Sequence, residues 1–353
     1  MTDEPTSLPS ATTPAPKVPE APHGEDRFAA FRNKRFLLYW LSRFAATFAT
    51  QIVIVSVGWQ IYDLTRDPFD LGLVGLIQFA PALLLILVTG SVADRFSRRG
   101  IILGCDLVEA ASVLVLLLIT WSGLTSPLPI FAVLLVMGIA RAFLGLAAQA
   151  LAPNLVPAKD LPNAVAWNSS AWQTAGVVGP VVGGLLYGLG PLVPYVTGVV
   201  LLLLAATAIS LVPAQPHRIS REKQNWDSLM AGFRYIRRER VVFGAISLDM
   251  FAVLLGGAIA LMPVYARDIL ELGPVGLGLL RASPGVGAVL MALYLASRPI
   301  KTGAGIKMFI GVGLFGLTTI IFGLSTNVEV SLLALACLGA ADTISVYVRQ
   351  TLI

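Results

Sequence analysis

Residues 71–122 read LGLVGLIQFAPALLLILVTGSVADRFSRRGIILGCDLVEAASVLVLLLITWS, two apolar runs of about twenty residues flanking a short loop that carries Arg95, Arg98 and Arg99. A helix rises 1.5 Å per residue, so each run, 71–92 and 101–122, is long enough to cross ~30 Å of hydrocarbon. The pattern repeats along the chain. Apolar spans recur at 36–62, 128–150, 164–189, 192–212, 241–264, 275–296, 306–324 and 330–353, which makes ten. Only 13% of the residues are charged and 56% are hydrophobic, and the mean hydropathy is +0.80, values that exclude a soluble globular chain. The expected fold is an all-α membrane bundle.

The loops give an orientation. With the N-terminus in the cytoplasm, nineteen of the 25 basic residues fall on the inner side and only Arg66 and Arg267 on the outer, the other four lying within spans. Residues 1–27, rich in Pro, Thr, Ala and Glu and without an apolar stretch, read as a disordered cytoplasmic tail rather than a signal peptide. The linker 213–240 is basic and spaces Trp226, Leu229, Met230, Phe233 and Ile236 as an amphipathic helix against inner-leaflet lipid. A multi-pass membrane protein with a cytoplasmic N-terminus is expected.

Little catalytic chemistry is available. His23 and His217 stand in polar segments, and Cys105 and Cys337 stand singly inside apolar ones, so neither a metal site nor a Cys/His nucleophile is expected. The chain reads as no enzyme and as needing no cofactor. The pI near 9.4 follows from the sorting of basic residues by loop, so no nucleic-acid partner is expected.

The chain also repeats internally. RNKRF at 32–36 matches RRERV at 237–241, Asp63 matches Asp268, Pro81 matches Pro284, and GIARAFLGLAAQAL at 138–151 falls on GAADTISVYVRQTL at 339–352, with offsets between 205 and 201. An N-terminal six-helix bundle, 28–212, is therefore expected to be followed by a second bundle, 241–353. Because Ile353 aligns with Ala152 at the end of span four, the second bundle is expected to be truncated after its fourth helix, with about 60 residues and two spans missing.

Three segments carry motifs. The loop Gly90-Ser-Val-Ala-Asp94-Arg95-Phe-Ser-Arg98-Arg99 resembles the G-x-L-A-D-R-x-G-R-R signature of the major facilitator superfamily, with Val92 for Leu and Ser97 for Gly. Span five carries Gly176, Gly179, Pro180, Gly183 and Gly184, similar to the glycine-proline signature of that superfamily's antiporter branches. Span four carries Arg141, Gly145, Ala147 and Ala148, similar to its R-x-x-x-G-x-A-A pattern. YWLSRFAATFATQ in span one, PNLVPAKDLPNAVAWNSS at 153–170, SLMAGFRYI in the linker and DMFAVLLGGAIALMPVYARDIL at 249–270 resemble the bacterial branch of enterobactin and macrolide exporters. The resemblance implies two pseudo-symmetric six-helix bundles, a cytoplasmic latch at Gly90, Asp94, Arg95, Arg98 and Arg99, and a monomeric exporter of bulky, amphipathic molecules driven by protons.

Charges inside spans are the candidate coupling groups: Arg43, Glu109, Arg141, Asp249 and Asp342. An ionised group at mid-depth is costly unless paired or wet. Asp106, nearer the inner interface, is expected to be wet. Glu109 and Asp249 lie deeper and are the better proton carriers. In the repeat Arg141 aligns with Asp342, and Arg43 falls within one residue of Asp249, so opposite charges occupy related positions; these pairs are expected to gate alternating access. Trp167, Trp172 and Gln173 are expected to line the substrate cavity. The expected activity is proton-coupled secondary efflux of a siderophore- or drug-like small molecule. The alternatives are a proton symporter or uniporter of a small metabolite, and a non-transporting remnant.

Overall fold

The computed structural model describes residues 27–213, 243–244, 247, 259–298 and 304–352. The tail up to residue 26, the amphipathic linker helix and most of span seven, Asp249 included, lie outside the described residues.

Ten helices of ten residues or more order these segments. They are α1 (Lys34–Thr65), α2 (Pro68–Leu84), α3 (Ile86–Arg95), α4 (Arg98–Trp121), α5 (Leu128–Leu151), α6 (Leu161–Leu189), α7 (Val193–Ser210), α8 (Gly273–Ser297), α9 (Ala304–Leu324) and α10 (Val328–Leu352). Seven are long and apolar enough to cross a membrane. The expected span two is divided: α2 ends at Leu84, with Leu85 as its C-cap four residues beyond Pro81, and α3 continues toward the basic loop. Proline removes one hydrogen bond and crowds the preceding turn, which weakens a helix at that place. Even so, α6 and α8 run unbroken through Pro180 and Pro284.

Helix ends follow local chemistry. Asn33 caps α1 by accepting from the Arg35 N–H at 3.0 Å, Asp67 caps α2 through the Phe69 N–H at 2.8 Å, and Ser97 caps α4 through the Gly100 N–H at 3.2 Å. Prolines in the first turn of α2, α5, α6, α7 and α8 occupy positions where no N–H is needed.

α1 is the axis of the first half, packed against α6 and α7, while α4 lies on α5 and α7. From Ile52 to Tyr62 it is buried almost all round, as its continuous apolar sequence requires. The polar side chains admitted there are satisfied: Ser56 donates to the Ile52 carbonyl at 2.9 Å, and Gln60 donates to Thr120 at 3.0 Å and accepts from the Tyr195 hydroxyl, which ties α1, α4 and α7 together. In the first half α2 and α4 both pack on α5; in the second, α8 and α9 both pack on α10. The halves meet chiefly where α6 lies against α8.

Candidate functional site

Near the Lys34 end of α1 the first half encloses a cavity of about 400 Å³, walled by α1, α4, α5 and α6. Arg43, Glu109 and Arg141 project into it beside Thr50, Gln51 and Trp172. Both arginines are answered by carboxylates of α4. Arg43 Nη1 lies 3.3 Å from Asp106 Oδ1, and Ser42 donates to the other oxygen at 3.5 Å. Arg141 Nε lies 3.3 Å from Glu109 Oε1, and Thr50 reaches Oε2 at 3.5 Å. Arg141 Nη1 donates to Gln78 Oε1 at 2.7 Å, while its Nη2 is buried with no partner.

One expectation is corrected by this arrangement. Asp106 is fully buried rather than wet, because the Arg43 guanidinium replaces the water that a carboxylate at that level would otherwise keep. Arg141, which the repeat matches with Asp342, has its ion-pair partner within its own half, Glu109 on α4. The signal for the α4 pairs was in the sequence: Asp106 and Glu109 stand three apart, on neighbouring positions of one helix face.

The aromatic candidates separate. Trp172 lines the cavity and is 66% exposed. Trp167 is instead part of an aromatic cluster, stacked on Phe28 at 5.4 Å and edge-on to Phe31 and Trp40, and its indole N–H donates to the Arg27 carbonyl at 2.9 Å. It anchors the segment before α1 onto α6. Gln173 faces away from the cavity into a crevice between α6 and α8. Asp342 lines a further cavity of about 600 Å³ between α1, α2, α8 and α10, and Gln78 and Arg281 share that wall.

The basic loop works as a set of helix caps. Arg98 donates to the Ala150 carbonyl at 2.7 Å, and Arg99 to the carbonyls of Ile209 at 3.2 Å and of Ser210, so two guanidiniums sit at the C-termini of α5 and α7. Cations there satisfy orphan carbonyls and oppose the negative end of the helix dipole. Gly90 is buried and Arg95 exposed. The side chain of Asp94 lies outside the described residues.

The glycine run of α6 is a contact surface on two sides. A Cβ at Gly179 would fall 2.6 Å from Gln51 Cβ and one at Gly183 3.0 Å from the Ile52 backbone, both on α1. Gly184 meets the Pro274 carbonyl, and the Pro180 carbonyl meets Gly278, each 2.5 Å from where a Cβ would stand, on α8. Gly176 only approaches Gln51. The run therefore presses one helix against both halves.

At the Thr65 end a clasp joins the halves. Asp63 pairs with Arg267, and Asp268 receives both the Tyr62 hydroxyl and, at 3.4 Å, Arg66. Arg267 also lies 5.2 Å over the Trp59 ring. The two aspartates are the pair matched in the repeat, but their basic partners were not foreseen, because Arg66 and Arg267 do not align with one another.

A cavity edged by buried ion pairs inside a bundle of membrane-length helices is the geometry of a transporter. The profile of the MFS_3 family, transmembrane secretion effector, matches residues 25–350. The chain belongs to this family of the major facilitator superfamily. As an MFS_3 protein it is a multi-pass membrane transporter, and its relatives are transporters rather than enzymes. It is 26% identical over 309 residues to the enterobactin exporter EntS of Shigella boydii serotype 18 (strain CDC 3083-94 / BS512), a match covering 80% of this chain and 70% of the exporter. EntS of Escherichia coli O139:H28 (strain E24377A / ETEC) matches at the same identity and coverage. Among solved structures, a bacterial homolog of the human lysosomal transporter Spinster, inward-facing and unoccupied, superimposes with a TM-score of 0.68 at 16% identity, over 93% of this chain and 75% of that one. The nucleoside transporter NupG superimposes with a TM-score of 0.63 at 16% identity, over 88% of this chain and 80% of that one. These likenesses establish the fold of the MFS_3 chain as that of the major facilitator transporters.

Proposed function

We propose that the chain is a proton-coupled exporter of a bulky or amphipathic, siderophore- or drug-like molecule, working by alternating access. The observation that carries this reading is Glu109: a carboxylate 1% exposed, midway along α4, edging a cavity and held by Arg141. Protonation of Glu109 would release Arg141, which then holds only Gln78, and loss of the proton would restore the pair. Arg141 and Glu109 act as the coupling pair, Arg43 and Asp106 as a structural neighbour, and Trp172 as an apolar contact for cargo.

The orientation rests on the basic loops, which put the Lys34 end of α1 and the N-terminus in the cytoplasm of a bacterial cell. In that frame the cavity lies in the cytoplasmic half, the Arg98 and Arg99 caps form the cytoplasmic latch, and the clasp closes the outer end. Residues 28–212 form one rocking bundle and the segment from 241 belongs to the second, with the glycine run of α6 as a sliding contact between them. Similarity to EntS, an exporter by name, supports outward transport.

The test uses the full chain in inside-out vesicles and follows a quenched-fluorescence proton gradient while a catecholate siderophore, a macrolide and a lipophilic cation are added in turn. At least one compound is expected to dissipate the gradient in wild type and not in Glu109→Gln. Dissipation that persists unchanged in Glu109→Gln would remove the coupling role of Glu109.

A further inference from the structure

Arg281 on α8 stands eight residues from the start of its helix, so its Cα lies ~12 Å along the helix from that end. Its Nε is buried without a hydrogen-bond partner, and no ion pair engages the guanidinium among the described residues. The side chain lines the cavity of about 600 Å³, whose remaining wall is mostly apolar, with Ile54, Leu71, Val74, Phe315 and Leu338 among it. Gly58 lies directly opposite: a Cβ there would be 3.5 Å from Arg281 Nη2, so any larger side chain would cover the guanidinium. Asp342 shares the wall but is engaged in an interaction of its own.

An arginine among apolar groups is costly unless an acceptor meets it. The first half shows how this chain meets that need when the partner is internal, since Arg43 and Arg141 each have an acid on α4. Nothing comparable meets Arg281 among the described residues, and the space before it is large enough for an aromatic or branched aliphatic body. The offset of 203 that aligns Pro81 with Pro284 also aligns Gln78 with Arg281. Gln78 serves the first half as an acceptor for Arg141; among the described residues its counterpart is a donor with no acceptor.

We propose that Arg281 is an anion subsite, and that this second cavity receives the carboxylate, sulfonate or phenolate of an otherwise apolar cargo whose body lies against α1, α2 and α8. The inference rests on the transporter reading for its cargo, but the site itself can stand or fall separately. The guanidinium offers a planar fork to an oxyanion, and the surrounding apolar wall strengthens that contact by excluding water. Cargo passing from the Glu109 cavity would meet a second station before release, with Gln78 between the two.

The probe is tritiated 4-benzoylbenzoate, an apolar photoreactive acid, with 4-benzoylbenzamide as its uncharged match. The full chain is held in phosphatidylcholine nanodiscs, photolysed, and mapped by peptide. In wild type, saturable label is expected on peptides of Pro68–Leu84 and Gly273–Ser297, competed at least about tenfold better by the acid than by the amide, the difference one charge-assisted contact supplies. Arg281→Gln should abolish that preference. Equal competition by acid and amide, a preference that survives Arg281→Gln, or label confined to the Glu109 cavity would overturn the proposal. Should Arg281→Gln fail to assemble, the wild-type label map alone decides. Vesicle proton flux measured in parallel separates the two readings. Flux without acid-selective label removes the subsite and keeps the proton-coupled exporter, whereas selective label with no flux from any compound removes the proton coupling and keeps the subsite.

Discussion

The contact of α2 with α5 and that of α8 with α10 are the same construction carrying opposite chemistry. In each a glycine of the later helix, Gly138 or Gly339, sits on backbone carbonyls of the earlier one, those of Ile77 and Gln78 in the first half and that of Pro284 in the second. Around this shared contact the polar residues differ. The first half places Arg141 beside the acceptor Gln78 and the acid Glu109, whereas the second places Asp342 and the donor Arg281. Backbone approach is what makes a repeat superimposable, and it leaves the side chains free to differ in charge. The two halves therefore share a helix-packing contact while the polar groups around it differ in charge and in partners.

The strongest way to break this comparison is to disturb an arginine in each half. Arg141 is paired, so Glu109→Gln leaves a buried charge without its acid and should destabilise the protein by about 3–5 kcal/mol, with Glu109→Gln combined with Arg141→Gln recovering most of the loss. Arg281 has no ion-pair partner among the described residues, so Arg281→Met should be neutral or stabilising by about 1–4 kcal/mol. Thermal unfolding of the purified variants in nanodiscs reads both. Equal destabilisation would mean that Arg281 has an internal partner and that the halves are electrostatically alike.

The contact itself can be tested at the glycines. A Cβ at Gly339 would collide outright with the Pro284 carbonyl, and a rigid backbone cannot move aside cheaply, so Gly339→Ala should cost at least the upper part of the ~1–3 kcal/mol typical of overpacking. At Gly138 the nearest carbonyl is 3.0 Å away, and alanine's better helix propensity offsets about 1 kcal/mol of the strain. Gly138→Ala should therefore fall near zero. A reversed order in melting temperature would show that the α2–α5 contact is the tighter of the two.

Much of this was legible in the chain before any coordinates. Apolar run length gives most of the helices, whereas the caps that start them, Asn33, Asp67 and Ser97, emerge only from the structure. The division of span two at Leu85 was not legible, because Pro81, Pro180 and Pro284 look alike in sequence and only one is followed by a break. Among the site residues, Arg43, Glu109, Arg141 and Trp172 were identified by type and depth and do share one cavity. Their partners were not, since periodicity says which residues share a helix face but not which helix that face meets. Trp167 shows the same limit: its position one turn before Ala171 suggests the cavity, yet Phe28 and Phe31 claim its ring.

The clasp at the Thr65 end offers a gentler test of how the halves move against each other. Its pairs are partly exposed, so each contributes at most about 1 kcal/mol. Asp63→Asn with Asp268→Asn should shift the balance toward a state open at that end by about fivefold, read as faster maleimide labelling of Gly75→Cys in a chain lacking Cys105 and Cys337. Gly75 suits the probe because it lines the second cavity and nothing crowds its Cβ position. High salt should shrink the difference, as screening weakens exposed pairs. Unchanged labelling would mean that the glycine contact of α6 with α8, not the ion pairs, holds this end shut.

The smallest effect concerns Ser97, where the family signature has glycine. Its hydroxyl accepts from the Gly100 N–H at 3.2 Å and starts the helix whose first turn carries Arg98 and Arg99. Those arginines disfavour the N-terminus of α4, where the dipole is positive, and are held there by carbonyls of α5 and α7. A serine cap offsets part of that conflict. Glycine at an N-cap costs only a few tenths of a kcal/mol relative to serine, while alanine costs about 1. Ser97→Gly should therefore melt within a degree or two of wild type and Ser97→Ala measurably below it. If Ser97→Gly fell as far as Ser97→Ala, the hydroxyl would matter for more than the cap, and the departure from the signature would be a specific feature of this latch.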